Sequence, residues 1–442
     1  MSTSYWAEHA LLPDGPAHGV LLVEQDGRWT RVEADVPAEA AGDAVRLPGL
    51  TLPGFANCHS HAFHRALRGR THGDGGTFWT WRERMYAAAE RLTPERYLAL
   101  ARATYAEMSL AGMTAVGEFH YVHHQADGTP YQDPQAMDEA LKQAAREAGV
   151  RLTLLDTCYL SGGLDAEGHQ PLSEQQQRFG DGDVQSWARR HAQLTGDDNT
   201  VIGAAIHSVR AVAAEDMPVV VAASAGQPLH AHVSEQPAEN EACQAHYGRS
   251  PVEVLSGAGA VDDRFTAVHA THLSGHDVEL LGAAHATACF CPSTERDLAD
   301  GIGPAPALDE HGAGLSLGSD QHAMVDMFDE LRALELHERL VSNRRGNFPP
   351  AQLLAAATNH ASIGWPDAGQ LAVGQRADAV TITLTSPRTA GSLPDQALMA
   401  ASASDVRQVV SGGRVVVRDG RHVLGDVGRL LTEAIEPIWE EA

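Results

Sequence analysis

At 442 residues the chain is too long for one small core and suits a large barrel-type domain with something smaller beside it. A formal net charge of −26 argues against a nucleic acid partner, because a phosphate backbone needs a basic surface. Five cysteines, widely scattered apart from Cys289 and Cys291, do not make a disulfide framework. No basic segment followed by an apolar one opens the chain, and no apolar run approaches membrane-spanning length, so a soluble cytoplasmic protein without a membrane partner is expected.

Residues 1 to about 50 read as short strands, with 19–23 and 29–32 flanking Asp26-Gly27, a hairpin signal. The far end has the same texture: a strand over 377–382, then 406–410 against 415–417 across Gly412-Gly413, and a turn at Asp419-Gly420. The two ends, 1–52 and 366–442, are therefore expected to pair into one small β-sandwich domain. The middle, 53–365, alternates short apolar strands with Ala- and Leu-rich helical stretches over 94–111, 138–148 and 327–341. Eight β-rich runs end near Asn57, Phe119, Thr157, Ile206, Val233, Ala270, Cys291 and Gly318, which predicts an α/β fold of the (β/α)8 TIM-barrel type with its chemistry at the strand ends. Cys289-Phe290-Cys291 is read as strand alternation in preference to a thiolate pair. The polar stretch 181–199 is read as a surface excursion.

The strand ends are rich in histidine. His59 and His61 follow strand one at a spacing of two, which places both imidazoles on one face of an extended segment. Glu118, His120, Tyr121, His123 and His124 follow strand two, and His207 and Arg210 follow strand four. Strand five carries His230, His232 and Glu235, strand six His269 and His272, and strand eight Asp320 and His322. His59, His61, His232 and Asp320 make a nitrogen and oxygen set suited to Zn2+ or Fe2+ with room for a water. His230 competes with His232 for third ligand, and His232 is favoured as the nearer to the strand end. The single lysine, Lys142, lies in a predicted helix, so no carboxylated lysine can bridge two metals and a mononuclear centre is expected.

At His59-Ser60-His61, His232, His269 and Asp320 the chain resembles the amidohydrolase superfamily, in particular its mononuclear aminohydrolases. Four stretches, beginning at Phe78-Trp79-Thr80-Trp81-Arg82, Glu118-Phe119-His120-Tyr121, His207-Ser208-Val209-Arg210 and His59 itself, narrow the resemblance to the formimidoylglutamate deiminase family. It covers essentially the whole chain, split β-domain included. The resemblance implies hydrolysis of N-formimino-L-glutamate to N-formyl-L-glutamate and ammonia in histidine degradation. It implies one divalent metal per chain, Zn2+ before Fe2+, a dicarboxylate substrate and a homodimer.

Carried over position by position, the family places His59, His61, His232 and Asp320 at the metal, and Glu235 and His269 beside the attacked carbon. Asp320 would also accept the water proton, Glu235 would act as general acid–base group, and His269 would bond the developing tetrahedral centre. Arg82, Tyr121, His207 and Arg210 would hold the glutamate part. His64 departs from the pattern, which has Gln there, so its imidazole either replaces the amide as a substrate contact or the contact is rearranged. The competing expectation is another aminohydrolase of the guanine or S-adenosylhomocysteine/adenosine type, which would want a flat aromatic-lined pocket without carboxylate-gripping arginines.

Overall fold

The computed structural model describes residues 2–73 and 78–440; the side chains of Phe78 and Trp79, in a stretch quoted above, lie outside the described residues. The chain opens with β1 (Thr3–Leu12), β2 (Gly15–Gln25), β3 (Arg28–Glu33) and β4 (Val45–Pro53). Asp26 and Gly27 take positive φ, 53° and 79°, which gives the two-residue turn between β2 and β3 the twist that antiparallel strands need.

Eight strands then run parallel in one sheet: β5 (Phe55–Ser60), β6 (Met113–His120), β7 (Arg151–Cys158), β10 (Thr200–Ile206), β11 (Leu229–Val233), β12 (Phe265–His269), β13 (Thr287–Phe290) and β14 (Gly314–Leu317). Between β7 and β10 lies a two-stranded hairpin, β8 (Gly163–Asp165) with β9 (Gly168–Gln170). Each barrel strand ends within three residues of its predicted end. β6 and β7 are buried at every position, because parallel strands are covered on both faces, inside by their neighbours and outside by helices. The backbone N–H groups of Ser319 and Asp320 donate to His59 O (3.1 and 3.0 Å), and that of His61 to Asp320 O (3.2 Å), which closes the sheet into a ring. The predicted TIM barrel is the observed architecture.

Inside the ring, Ala56, Cys58, Ala115, Val268, Cys289 and Cys291 pack with Ile363 and Trp365, while Phe290 joins the main core. Cys289 and Cys291 thus alternate with Phe290 as a strand requires, and all five cysteines are free thiols. The chain returns to its first sheet through β15 (Ala379–Ile382), β16 (Val406–Ser411), β17 (Arg414–Arg418) and β18 (Arg421–His422). The order β18-β17-β16-β15-β4-β1-β2-β3 joins the two chain ends at β15 and β4. The sheet folds over Tyr5, Leu22, Trp29, Leu47 and Val410, and Tyr5 Oη donates to Gly413 O (3.0 Å) across the fold. A buried ion pair ties this layer to the barrel, with Arg151 Nη1 donating to Asp378 Oδ1 (2.9 Å).

The stretch 181–199 is mostly exposed, as a surface excursion should be, but it also holds the helix Val184–His191, capped by Asp183, with Trp187, Arg190 and His191 buried. Arg190 Nη1 donates to Asp156 Oδ1 (2.7 Å), and His191 Nδ1 lies 3.0 Å from Asp156 Oδ2. These two polar residues are paired inside, with a partner on β7 that local composition does not reveal. Among the described residues no helix is long and apolar enough to cross a membrane.

Candidate active site

The C-terminal ends of the barrel strands form a mouth in which the imidazoles of His59, His61 and His232 converge with the carboxylate of Asp320. His59 Nε2 and His61 Nε2 stand 3.2 and 3.3 Å from His232 Nε2, and Asp320 Oδ1 stands 3.3 and 3.4 Å from the first two. A tetrahedral ion with metal–nitrogen bonds of about 2.0–2.1 Å has edges of about 3.3 Å, and these four distances match such edges. The tautomers agree. His61 Nδ1 faces Phe119 O (2.8 Å) and His232 Nδ1 faces His207 O (2.9 Å); a carbonyl can only accept, so these nitrogens carry the hydrogens and the Nε2 lone pairs point inward. Such lone pairs repel one another unless a cation lies between them.

Burial lowers His59 to about 3, His61 to about 4 and His232 well below the usual imidazole range, so all three are neutral imidazoles at physiological pH. Burial alone would raise Asp320, but the imidazole of His59, followed by His269 and His61, holds it well below the usual carboxylate range. His230, the competitor for third ligand, bonds Ser362 O through Nε2 (3.0 Å) and does not reach the set. Asp320 takes φ of 40°, a cost that the ring-closing hydrogen bonds on both sides of it sustain. Behind this set, Glu118 receives Ala62 N–H (2.6 Å) and Ser60 Oγ–H (2.7 Å), and Ser319 is held by Asn57 (2.7 and 2.9 Å), so both segments that carry it are locked.

Beside the ligands stand Glu235 and His269. Glu235 Oε1 lies 3.8 Å from His269 Nε2, which lies 3.9 Å from Asp320 Oδ2. Burial disfavours a charge on His269, but Glu235, with Glu295 and Asp320, outweighs it and raises the imidazole well above its ordinary value. Arg210 Nη2 is 3.9 Å from Glu235 Oε2, and its Nε is 3.5 Å from Glu239 Oε2, which is buried behind it.

The rest of the cleft is formed by His64, Trp81, Arg82, Tyr121 and His207 with Met85, Tyr86, Tyr159 and Phe179. His64 Nε2 lies 3.0 Å from Tyr121 Oη, and Arg82 Nε donates to Tyr86 Oη (2.6 Å). The residues favoured for the site from sequence therefore meet at one mouth, His64 included and His230 excluded. Other strand-end histidines do not join them: His120 faces Asp138 (3.4 Å), His124 faces Asp181 (3.1 Å) and His272 bonds Asp300 O (2.7 Å). Sequence reasoning passed over Tyr86, Tyr159, Gln176, Glu239 and Glu295. Tyr159 had a signal, since it lies just past the end of strand three; Gln176 and Glu239 had none, being placed by long-range folding. A larger hollow lies elsewhere, lined by Leu11, Arg339, Phe348 and Leu354, and holds none of these groups.

A closed parallel barrel whose mouth gathers three neutral imidazoles and a carboxylate at distances suited to a shared metal defines the class of metal-dependent barrel hydrolases. The chain belongs to the amidohydrolase family, whose family model matches residues 50–416. Over 441 aligned residues it is 39% identical to a formimidoylglutamate deiminase of Pseudomonas aeruginosa, covering 95% of this chain and 96% of that one. Among solved structures, an amidohydrolase from Brucella melitensis superposes with a TM-score of 0.90 at 34% identity, covering 99% of both chains. An adenosine deaminase from Xanthomonas campestris with bound zinc superposes with a TM-score of 0.83, covering 98% and 97%; at 22% identity that likeness speaks for the fold alone.

Proposed function

We propose that the protein is a deiminase that hydrolyses N-formimino-L-glutamate to N-formyl-L-glutamate and ammonia, a step of histidine degradation, with one zinc ion at the barrel mouth. A cytoplasmic homodimer is proposed as its working form. The observation that carries the reading is that two guanidinium groups, Arg82 and Arg210, line the same cleft as His61, Glu235, His269 and Asp320 in a chain of net charge −26. Fixed cations at the mouth of an acidic protein suit a dianionic substrate, and guanidinium grips carboxylates bidentately.

His59, His61, His232 and Asp320 would hold the metal, which supplies Lewis-acid activation of water near neutral pH. Asp320 takes the proton of the attacking water. Glu235, within reach of His269 and Arg210, holds the imino nitrogen, and two protons reach that nitrogen: the one Asp320 took from the attacking water and, through Glu235, the one leaving the new hydroxyl as the C–N bond breaks, so that ammonia leaves and the carbonyl remains. His269, charged by its carboxylate neighbours, donates a hydrogen bond to the oxygen on the developing tetrahedral carbon. Arg210, His207 and Tyr121 hold the carboxylate nearer the reacting carbon, and Arg82 the farther one. His64, paired with Tyr121, positions that phenol.

Ammonia release from N-formimino-L-glutamate, guanine and S-adenosylhomocysteine tests the assignment. Turnover of the first alone is expected. Release from either ring substrate without turnover of the formimino compound would move the protein to a ring-deaminating branch of the family.

A further inference from the structure

We infer that Tyr159 donates its hydroxyl hydrogen to the carboxylate of the substrate farther from the metal, and that Gln176 is the positioning residue that aims it. The inference rests on the proposed dicarboxylate substrate and adds a donor to Arg82 at that end of the cleft.

The argument is one of hydrogen accounting. Gln176 is buried at the start of a short helical turn, Glu174–Phe179, and the backbone N–H of Ser173 donates to its Oε1 (2.9 Å) in a capping box. A backbone N–H must meet the oxygen, so the orientation of the amide is fixed. Its Nε2 end then faces Tyr159 Oη (2.9 Å), Tyr86 Oη (3.0 Å) and Gly162 O (3.2 Å). An amide nitrogen only donates, and so does the Arg82 guanidinium that reaches Tyr86 Oη (2.6 Å). Both phenol oxygens are therefore acceptors toward the protein, and each keeps its own hydrogen for another partner. Tyr86 can pass its hydrogen to the neighbouring Tyr159 oxygen. That still leaves the Tyr159 hydrogen, and no hydrogen bond among the described residues takes it.

Tyr159 is buried yet lines the cleft with Arg82 and Tyr86, so a hydroxyl left without an acceptor there is costly and an anionic ligand oxygen relieves it. The farther carboxylate is the partner because Arg210 sits against Glu235 on the metal side, whereas Arg82 is anchored to Tyr86 and to Gly162 O (3.3 Å), away from it.

Two near-isosteric substitutions test this, with kcat and KM measured for N-formimino-L-glutamate and for an N-formimino amino acid with an uncharged side chain. Tyr159→Phe is expected to lower kcat/KM for the dicarboxylate about ten- to a hundredfold, mainly through KM, and to leave the uncharged analogue within about twofold. Gln176→Glu puts an acceptor where a donor stood and draws the phenol hydrogens away from the cleft. It should lose as much as Tyr159→Phe although the tyrosine is intact, and the double variant should lose no more than Gln176→Glu alone. Equal losses for both substrates, or no loss in Tyr159→Phe, overturn the assignment in favour of a purely structural role. If the wild-type protein does not turn over N-formimino-L-glutamate, the functional reading fails separately. Calorimetric binding of glutarate to wild type and Tyr159→Phe then decides the donor role, with equal affinities refuting it.

Discussion

Replacing Arg210 by methionine separates recognition from hydrolysis, provided that the second consequence of the change is controlled. The guanidinium lies between Glu235 Oε2 (3.9 Å) and Glu239 Oε2 (3.5 Å) and lines the cleft. A charge-assisted hydrogen bond to a substrate carboxylate contributes about 1.5–3 kcal/mol, so kcat/KM should fall on the order of ten- to a hundredfold. Glu239 complicates the reading. Its carboxylate is 2% exposed, burial already raises its pKa, and Arg210 is the main group opposing that rise. Without the guanidinium a buried acid loses its partner, which costs on the order of 1–3 kcal/mol of stability. The double variant Arg210→Met with Glu239→Gln removes that cost and leaves the recognition defect in place. The assay is ammonia release from N-formimino-L-glutamate and from an analogue lacking the α-carboxylate, with melting temperature and metal content measured in parallel. Wild type should prefer the full substrate strongly, and both variants weakly. A double variant that melts normally and still discriminates as wild type does would refute Arg210 as the carboxylate anchor and leave Arg82 as the candidate.

Glu235→Gln keeps the shape of the side chain but cannot carry protons, so turnover should fall about 10²- to 10⁴-fold with metal content unchanged; near-normal turnover would move the proton shuttle elsewhere, to His269 first. His232→Gln should lose the metal at the mouth while His230→Gln retains it, as elemental analysis would read, because the Nε2 atom of His232 meets His59 and His61 whereas that of His230 is spent on Ser362 O. Acid should destabilise the fold through histidines that touch no metal. Burial lowers His230 and His360 to about 4 each, whereas the unfolded chain binds those protons near 6.5. Their contribution is therefore complete above about pH 6.5 and lost as pH falls toward 4, by up to about 3 kcal/mol apiece. His230→Asn should show a shallower fall in melting temperature over that interval than wild type; an equal or steeper fall would refute the assignment.

The barrel was legible because its strands announce themselves twice. Each is a buried apolar run, and each ends in a polar residue where the backbone leaves the sheet, as at His59, Glu235 and Asp320. The spacing of His59 and His61 placed two imidazoles together because strand geometry is local. Choosing His232 over His230 could only be a preference, since both lie on one strand face and the Ser362 carbonyl that occupies His230 comes from far along the chain. The same limit hid Glu239 and Gln176, whose roles exist only through Arg210 and Tyr159. It also hid the buried side of 181–199, where Arg190 is held by Asp156.

The way the ring closes bears on the order in which the protein comes together. His59 sits on the first barrel strand and Asp320 follows the last, and the seam between them is stitched by the backbone bonds of His59, His61, Ser319 and Asp320 themselves. A nascent chain stopped short of Asp320 owns the histidines but no carboxylate, and it has no eighth strand to press them into register. On the proposed ligand set, capture of the ion would come late in biogenesis, and part of its binding energy would go to drawing the first and last strands together over a long loop. Metal uptake followed in time after release from denaturant should lag behind helix formation and coincide with the end of barrel assembly.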